Sequence, residues 1–270
     1  MRRFATDPLP TEIAEALAAV RDRLTPLSRR VLFFNRTGST NDVALALAED
    51  PDAEGVVVIA DQQTAGRGRQ GHVWHSPPGS GLYVSIVLRP PHGKTADVRS
   101  TGLLTLAAGV ALAEAVERLT GLRADIKWPN DLLVGRRKLA GILAESAPGG
   151  YVVLGYGLNV SAAAFPADLA QRATSLESEL GRAVDRPAMC AETIAAIAGR
   201  YTDLVEGRFD AILDEWRRRA PSSRQRRVAW ETPSGPLSGV TAGIDEHGAL
   251  LVRVADRVER IVGGVLTWLE

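Results

Sequence analysis

The chain reads as an α+β protein: a mixed sheet with helices, followed by a small β-barrel. Helical and strand periodicities occur without strict strand–helix–strand alternation, which argues against a doubly wound α/β fold. Composition shifts at Pro221-Ser-Ser-Arg224, and five short apolar stretches separated by turn residues follow. At 270 residues, a 45% hydrophobic and 24% charged content suits one large unit plus a small one. We place these units over residues 1–222 and 223–270.

Thr11 caps an expected first helix with Ile13, Leu17, Val20 and Leu24 at helical spacing. Val31–Phe34 reads as a short strand. Ser39 and Asp42 have capping-box spacing for a helix running to Glu49. Val56–Ala60 is a buried-type strand. Asp61 to Gly81 is a long connection rich in glycine, and such loops are usually functional or disordered. Leu82, Val84, Ile86 and Leu88 alternate as a strand.

A long helix is expected over Val98–Leu119, burying Leu104, Ala108, Ala111, Ala115 and Leu119. Strands follow near Ala124–Trp128, Leu132–Val134 and Leu139–Glu145, the last two joined by a Gly135-Arg136 turn. Tyr151–Val160 is another. Pro187 in a first turn and Gly207 beyond the end bracket a second long helix, and Phe209–Arg219 forms a third. The barrel strands are expected at Val228–Glu231, Leu237–Ala242, Ala249–Val254, Val258–Val262 and Val265–Leu269, with turns at Pro233-Ser-Gly235 and Glu246-His-Gly248.

Zero net charge and a pI near 6.9 count against a nucleic-acid partner. The one cysteine, Cys190, has no internal partner and reads as a buried helix position in a reducing compartment. Asp7 and Glu12 interrupt any signal peptide, and the longest uncharged stretch, Ser100–Ala113, is too short for a bilayer. We therefore expect a cytoplasmic protein with no membrane contact.

Lysine is rare. Of 32 Lys+Arg, only Lys94, Lys127 and Lys138 are lysine, and two of them share one block, Lys127-Trp-Pro-Asn-Asp131 through Lys138-Leu-Ala-Gly141. A compact ammonium on a flexible stem fits a tight pocket where a planar guanidinium does not.

Four constellations could carry chemistry. In Gln63-Thr-Ala-Gly66-Arg67-Gly68-Arg69-Gln70-Gly71-His-Val-Trp74, glycines let backbone N–H groups approach an anion while guanidiniums grip it. A mobile polar loop is the plainer alternative, but Trp74 wants a partner such as a purine ring. Gly66-x-Gly68-x-x-Gly71 matches a dinucleotide fingerprint by letter, yet no helix opens here and Pro77-Pro78 follows. Trp128-Pro129 forces an extended turn that sets Asn130 and Asp131 at a strand start. The following hairpin can return Lys138 beside Asp131. Gly155-Tyr-Gly157-Leu-Asn159 suggests a close approach to a strand, with Asn159 able to donate and accept. Ser39-Thr40-Asn41 opens a helix whose free N–H groups suit a urea-like or carboxylate head group. His72 and His75 lack a third metal ligand.

Together Ser39-Thr-Asn41, Gly66-Arg-Gly-Arg-x-Gly71-x-x-Trp74, Lys127-Trp-Pro-Asn-Asp131, Lys138-Leu-Ala-Gly-Ile-Leu143 and Gly157-Leu-Asn159 closely resemble the biotin protein ligase family, in its order and spacing. The resemblance runs from about Val31 to Val160, and Ile244–Leu250 extends it. It implies a catalytic domain similar to class II aminoacyl-tRNA synthetases, a C-terminal SH3-like domain, and no additional N-terminal DNA-binding domain. It implies a reaction of biotin with ATP, accompanied by Mg²⁺, to give biotinyl-5′-AMP. Biotin then passes to one lysine of a biotin carboxyl carrier protein.

By the same matches, Ser39, Thr40, Asn41, Gln63, Arg67, Gly68, Arg69, Lys138 and Gly141 line the biotin site. Arg67, Arg69, Trp74, Asn130, Asp131, Lys138 and Asn159 face ATP and the adenylate, with Trp74 covering the adenine. Arg67, Lys138 and Asp131 are the catalytic candidates. Val265 stands where some members are acidic. The resemblance allows a monomer or a homodimer. A lipoate ligase is the nearest rival, and a non-catalytic biotin-sensing or DNA-binding regulator is a second.

Overall fold

Two antiparallel-dominated sheets organise the chain. The computed structural model describes residues 4–91, 102–161, 165–166, 169–232 and 235–269. The first sheet holds β1 (Arg30–Thr37), β2 (Val56–Gln63), β3 (Gly81–Leu88), β4 (Asp125–Lys127), β5 (Asp131–Val134), β6 (Arg137–Ser146) and β7 (Val152–Asn159), in the order β1-β2-β3-β7-β6-β5-β4. Among the described strands of this sheet, β1 and β2 run parallel and the other neighbours are antiparallel. This is the expected α+β arrangement.

Among the described residues, six helices accompany the strands: α1 (Thr11–Ala19), α2 (Thr40–Leu47), α3 (Leu104–Thr120), α4 (Leu176–Leu180), α5 (Arg186–Val205) and α6 (Phe209–Arg219). One face of the sheet is covered by α3 and α5, whose apolar stripes meet Val84, Ile86, Leu154 and Leu158 in a continuous core. The other face is covered only in part. There α2 lays Val43, Ala44 and Leu47 on Val58, Val87 and Val153 in a separate cluster. The remainder of that face carries glycines and stays open, which is what makes room for a cleft.

The second sheet contains β8 (Arg224–Thr232), β9 (Gly235–Ile244), β10 (Leu250–Val254), β11 (Arg257–Ile261) and β12 (Leu266–Trp268), in the order β11-β10-β9-β8-β12. Bulges at Leu251/Val252 and Arg224/Arg227 bend it. It docks on the first unit through Trp128, whose Nε1 donates to the Gly248 carbonyl at 3.0 Å.

Several expectations need correction. α1 begins after Pro10, without a Thr11 side-chain cap, and stops at Ala19; Leu24 lies beyond a 3₁₀ turn over Arg21–Arg23. Ser39 is the N-cap of α2 but makes no side-chain capping bond, and α2 ends at Leu47. No capping box forms, because Asp42 turns instead to Arg67 at 2.9 Å. Leu119 is 40% exposed, so the buried stripe of α3 ends before it. Lys94, the expected start of α3 at Val98 and the first two residues of the Pro233 turn lie outside the described residues. The short helix α4, capped by Ser175, was not anticipated. Pro187 and Gly207 bracket α5 as expected, with Asp185 accepting from the Ala188 N–H. Among the described residues no helix is long and apolar enough to cross a membrane.

Candidate active site

A single cross-strand row builds the floor. Gly157 on β7 pairs with Gly141 on β6, Gly141 with Asp131 on β5, and Asp131 with Lys127 on β4. Directly opposed residues share a face, and neighbouring strands lie about 4.8 Å apart. Two residues without side chains are thus followed by a carboxylate and an ammonium along one line. The result is a cleft of ≈ 240 Å³, walled by the N-terminus of α2, the Gly66–Trp74 segment and the end of the second sheet.

At the α2 end, buried polar groups are held by one another. Gln63 Oε1 accepts from the Thr40 N–H at 2.8 Å and from Thr40 Oγ1 at 3.1 Å, while Gln63 Nε2 donates to Ser76 Oγ. Ser85 Oγ lies 2.7 Å from Thr40 Oγ1 and 2.6 Å from Asn41 Oδ1, and its one proton serves one at a time. Asn41 Nδ2 donates to Glu145 at 2.6 Å. Ser39, 2% exposed, lines the cleft beside them.

The glycine-rich segment forms a small hairpin. Arg67 bridges Val73, the Trp74 N–H donates to the Gly66 carbonyl, and the Gly68 N–H donates to His72. Gln70 and Gly71 both take positive φ at the turn, 55° and 77°. The hairpin therefore consumes the Gly68 N–H, one of the backbone groups expected to approach an anion. Side chains supply the cations instead. Arg67 Nη2 meets Glu145 at 2.8 Å and Asp42 at 2.9 Å. Arg69 Nη1 donates to Asn130 Oδ1 at 3.1 Å, and Asn130 Nδ2 is anchored on the Ile142 carbonyl.

Trp74 lies over the two floor glycines. A Cβ at Gly157 would overlap its indole, and one at Gly141 would come within 3.0 Å of it. Its Nε1 is buried without a hydrogen-bond partner. Lys138 Nζ stands 5.4 Å from the Trp74 ring centre and 2.6 Å from Asp131 Oδ1, without the alignment of a directed hydrogen bond. Lys127 Nζ stands 5.4 Å from the ring of Trp268 on β12. Burial lowers the Lys127 pKa; the nearby Asp131 carboxylate opposes this and Lys138 adds to it.

The cleft gathers Ser39, Thr40, Asn41, Gln63, Arg67, Gly68, Arg69, Trp74, Asn130, Asp131, Lys138 and Gly141. It does not gather Asn159. That side chain donates to the Thr174 and Lys138 carbonyls, bracing the strand that carries Lys138. Sequence reasoning missed Asp42, Ser85 and Glu145, which hold the arginine and the buried amide. It also missed Trp268. Gly155 carried the only signal for the buried network, since a strand glycine marks a close approach. No cluster of three metal-binding side chains occurs among the described residues.

The sequence profile of the "Biotin/lipoate A/B protein ligase family" matches residues 33–159. A biotin–[acetyl-CoA-carboxylase] ligase of Paracoccus denitrificans is 36% identical over 81% of this chain and 92% of its own. One of Mycobacterium tuberculosis is 35% identical over 87% of each chain. The structure of biotin protein ligase from Aquifex aeolicus in complex with biotin and ATP superposes with a TM-score of 0.76 at 26% identity, over 89% of this chain and 99% of that one. The chain belongs to the biotin protein ligase family.

Proposed function

We propose that this chain joins biotin to ATP and transfers the biotinyl group to a lysine of the acetyl-CoA carboxylase carrier protein. The observation that carries the reading is the floor row: two glycines roofed by Trp74 next to Asp131 and Lys127, with Lys138 and Arg69 in the same cleft. The Trp74 indole on these glycines offers an aromatic face to a ligand, and anions fit beside the cations.

The chemistry explains why cations are needed. A biotin carboxylate oxygen attacks the α-phosphorus, the bond from that phosphorus to the β-bridging oxygen breaks, and pyrophosphate leaves. Two like charges about 4 Å apart repel by roughly 4 kcal/mol at an effective dielectric near 20. Arg67, Arg69 and Lys138 offset that repulsion and hold the charge that develops on phosphorus. Mg²⁺ arrives as part of the nucleotide substrate, held through its phosphates.

In the second step a neutral carrier amine attacks the biotinyl carbonyl and AMP leaves. Asp131 orients Lys138 or receives the amine proton, and its place between two lysines supports either role. Thr40, Asn41, Ser85 and Gln63 form a polar end suited to the ureido group of biotin, and Trp74 with Asn130 suits the adenine.

ATP–pyrophosphate exchange with biotin or lipoate as the acid tests the reading. Exchange with biotin and none with lipoate is expected. Exchange driven by lipoate alone, or by neither acid, overturns it.

A further inference from the structure

A circuit of polar contacts ties both arms of the glycine-rich hairpin to the sheet beneath it. On one arm, Arg67 Nη2 donates to Glu145 Oε2 at 2.8 Å. The same carboxylate oxygen accepts from Asn41 Nδ2 at 2.6 Å. Asn41 Oδ1 then meets Ser85 Oγ, Ser85 Oγ meets Thr40 Oγ1, and Thr40 Oγ1 donates to Gln63 Oε1. Gln63 Nε2 donates to Ser76 Oγ, which donates to the Trp74 carbonyl on the other arm at 3.1 Å. The Trp74 N–H closes the circuit on the Gly66 carbonyl, one residue before Arg67.

Glu145 is the acidic link in this circuit. Its two bonds meet at one oxygen, so a single carboxylate sets both the hairpin cation and the buried amide. Hydrogen bonds to an ionised group are roughly twice as strong as neutral ones. Asp42 also reaches Arg67, at 2.9 Å, but its side chain is 58% exposed against 25% for Glu145. Exposed ion pairs contribute little, which leaves Glu145 as the main hold on the arginine. A long arginine side chain without that hold would sample many rotamers.

The position of Glu145 separates it from the ligands. Gly141, Leu143 and Glu145 alternate along β6 and so share the cleft face of the sheet. Gly141 and Leu143 line the cleft, whereas Glu145 lies beyond it. Leu143 pairs with Gly155, the glycine that makes room for Asn41.

Resting on the ligase reading above, we infer that Glu145 is a positioning residue that fastens the Arg67 arm of the hairpin to the polar end of the cleft. It meets no substrate. It acts through Arg67, and its effect falls on how firmly the hairpin lies over the bound acid.

Limited proteolysis of the ligand-free protein, together with calorimetry on biotin, tests the inference. Glu145→Gln keeps the size and still accepts from Asn41, but it removes the charge that faces Arg67. Cleavage within residues 64–75 should quicken, and biotin affinity should fall about tenfold, the loss of one charge-assisted contact. The kcat of biotin-dependent ATP–pyrophosphate exchange at saturating biotin should change by less than about twofold, since bound ligand then holds the hairpin. Asp42→Asn should alter biotin affinity by less than about twofold. In an Arg67→Gln background, Glu145→Gln should add less than about twofold, because both changes remove the same contact. Should Glu145→Gln fail to fold, Glu145→Asp, whose shorter side chain draws the carboxylate away from Arg67, should show the same split. Unchanged cleavage and biotin affinity, losses that multiply with those of Arg67→Gln, or a fall in kcat with biotin affinity intact would each overturn the inference. Wild-type protein that binds no biotin would refute the ligase reading instead, and the cleavage comparison would then decide the fastening by itself.

Discussion

Gly155 and Asn41 share one space: a β carbon on the glycine would lie 2.8 Å from Asn41 Cγ and overlap its Oδ1. The strand glycine is there so that a buried amide can lie against the sheet, between Ser85 and Glu145. Gly155→Ala should therefore expel that amide. We expect a stability loss of about 1–3 kcal/mol, typical of overpacking, together with weaker biotin binding. Urea unfolding and calorimetry check both, and an unchanged biotin affinity would separate Asn41 from the binding site.

Lys138→Arg keeps the charge but not the shape. The stem passes so close to Gly141 that a β carbon there would be 3.0 Å from Lys138 Cε, and the ammonium sits between Asp131 and the Trp74 face. A forked guanidinium needs more room. Biotin-dependent pyrophosphate exchange should fall by about 10²-fold or more, as when a preorganised donor is lost. Near wild-type exchange would contradict the tight-pocket argument.

Trp74 should report ligand binding. Its buried Nε1 lacks a partner and its ring covers Gly157. Ordering a loop residue costs about 1–2 kcal/mol, which ligand contacts must offset. Biotin should shift tryptophan emission in the wild type, leave a much smaller shift in Trp74→Phe, and slow proteolysis within residues 61–81. Equal cleavage rates with and without biotin would show that the segment does not respond.

Lys127 should cost stability while serving binding. Its pKa is lowered from 10.5, so the folded state disfavours the charged form. The penalty is fully present below the folded pKa and fades as pH rises through it toward 10.5. Lys127→Met should melt higher than wild type at pH 7, with the difference shrinking in alkaline buffer. A constant difference across that range would contradict the burial argument.

Cys190 should be inert. It is fully buried, and burial pushes its thiol pKa up to about 12. Iodoacetamide at pH 8 should leave the folded protein unlabelled and label it once unfolded in urea. Rapid labelling of the native state would show that α5 opens.

Much of this was legible in the residues. The hairpin that brings Lys138 back to Asp131 follows from Gly135 and strand periodicity, and the two meet at 2.6 Å. Pro187 and Gly207 marked α5 because their backbone preferences are local. What escaped was non-local. Nothing near Ser39 or Asp42 in sequence reveals that Asp42 prefers a guanidinium to a capping bond. Nothing near Asn159 shows that its amide is taken up by the Lys138 and Thr174 carbonyls rather than lining the cleft. Trp268 lies far along the chain from Lys127, and only the docking of the second sheet joins them.

The central claim is that this cleft activates biotin with ATP and delivers it to a carrier lysine. Intact-mass measurement of a biotin carboxyl carrier domain, incubated with the protein, biotin, ATP and Mg²⁺, tests it most directly. One biotinyl addition on a single lysine, absent without ATP, is the predicted result. An unmodified carrier under the same conditions, with the protein folded, would contradict it.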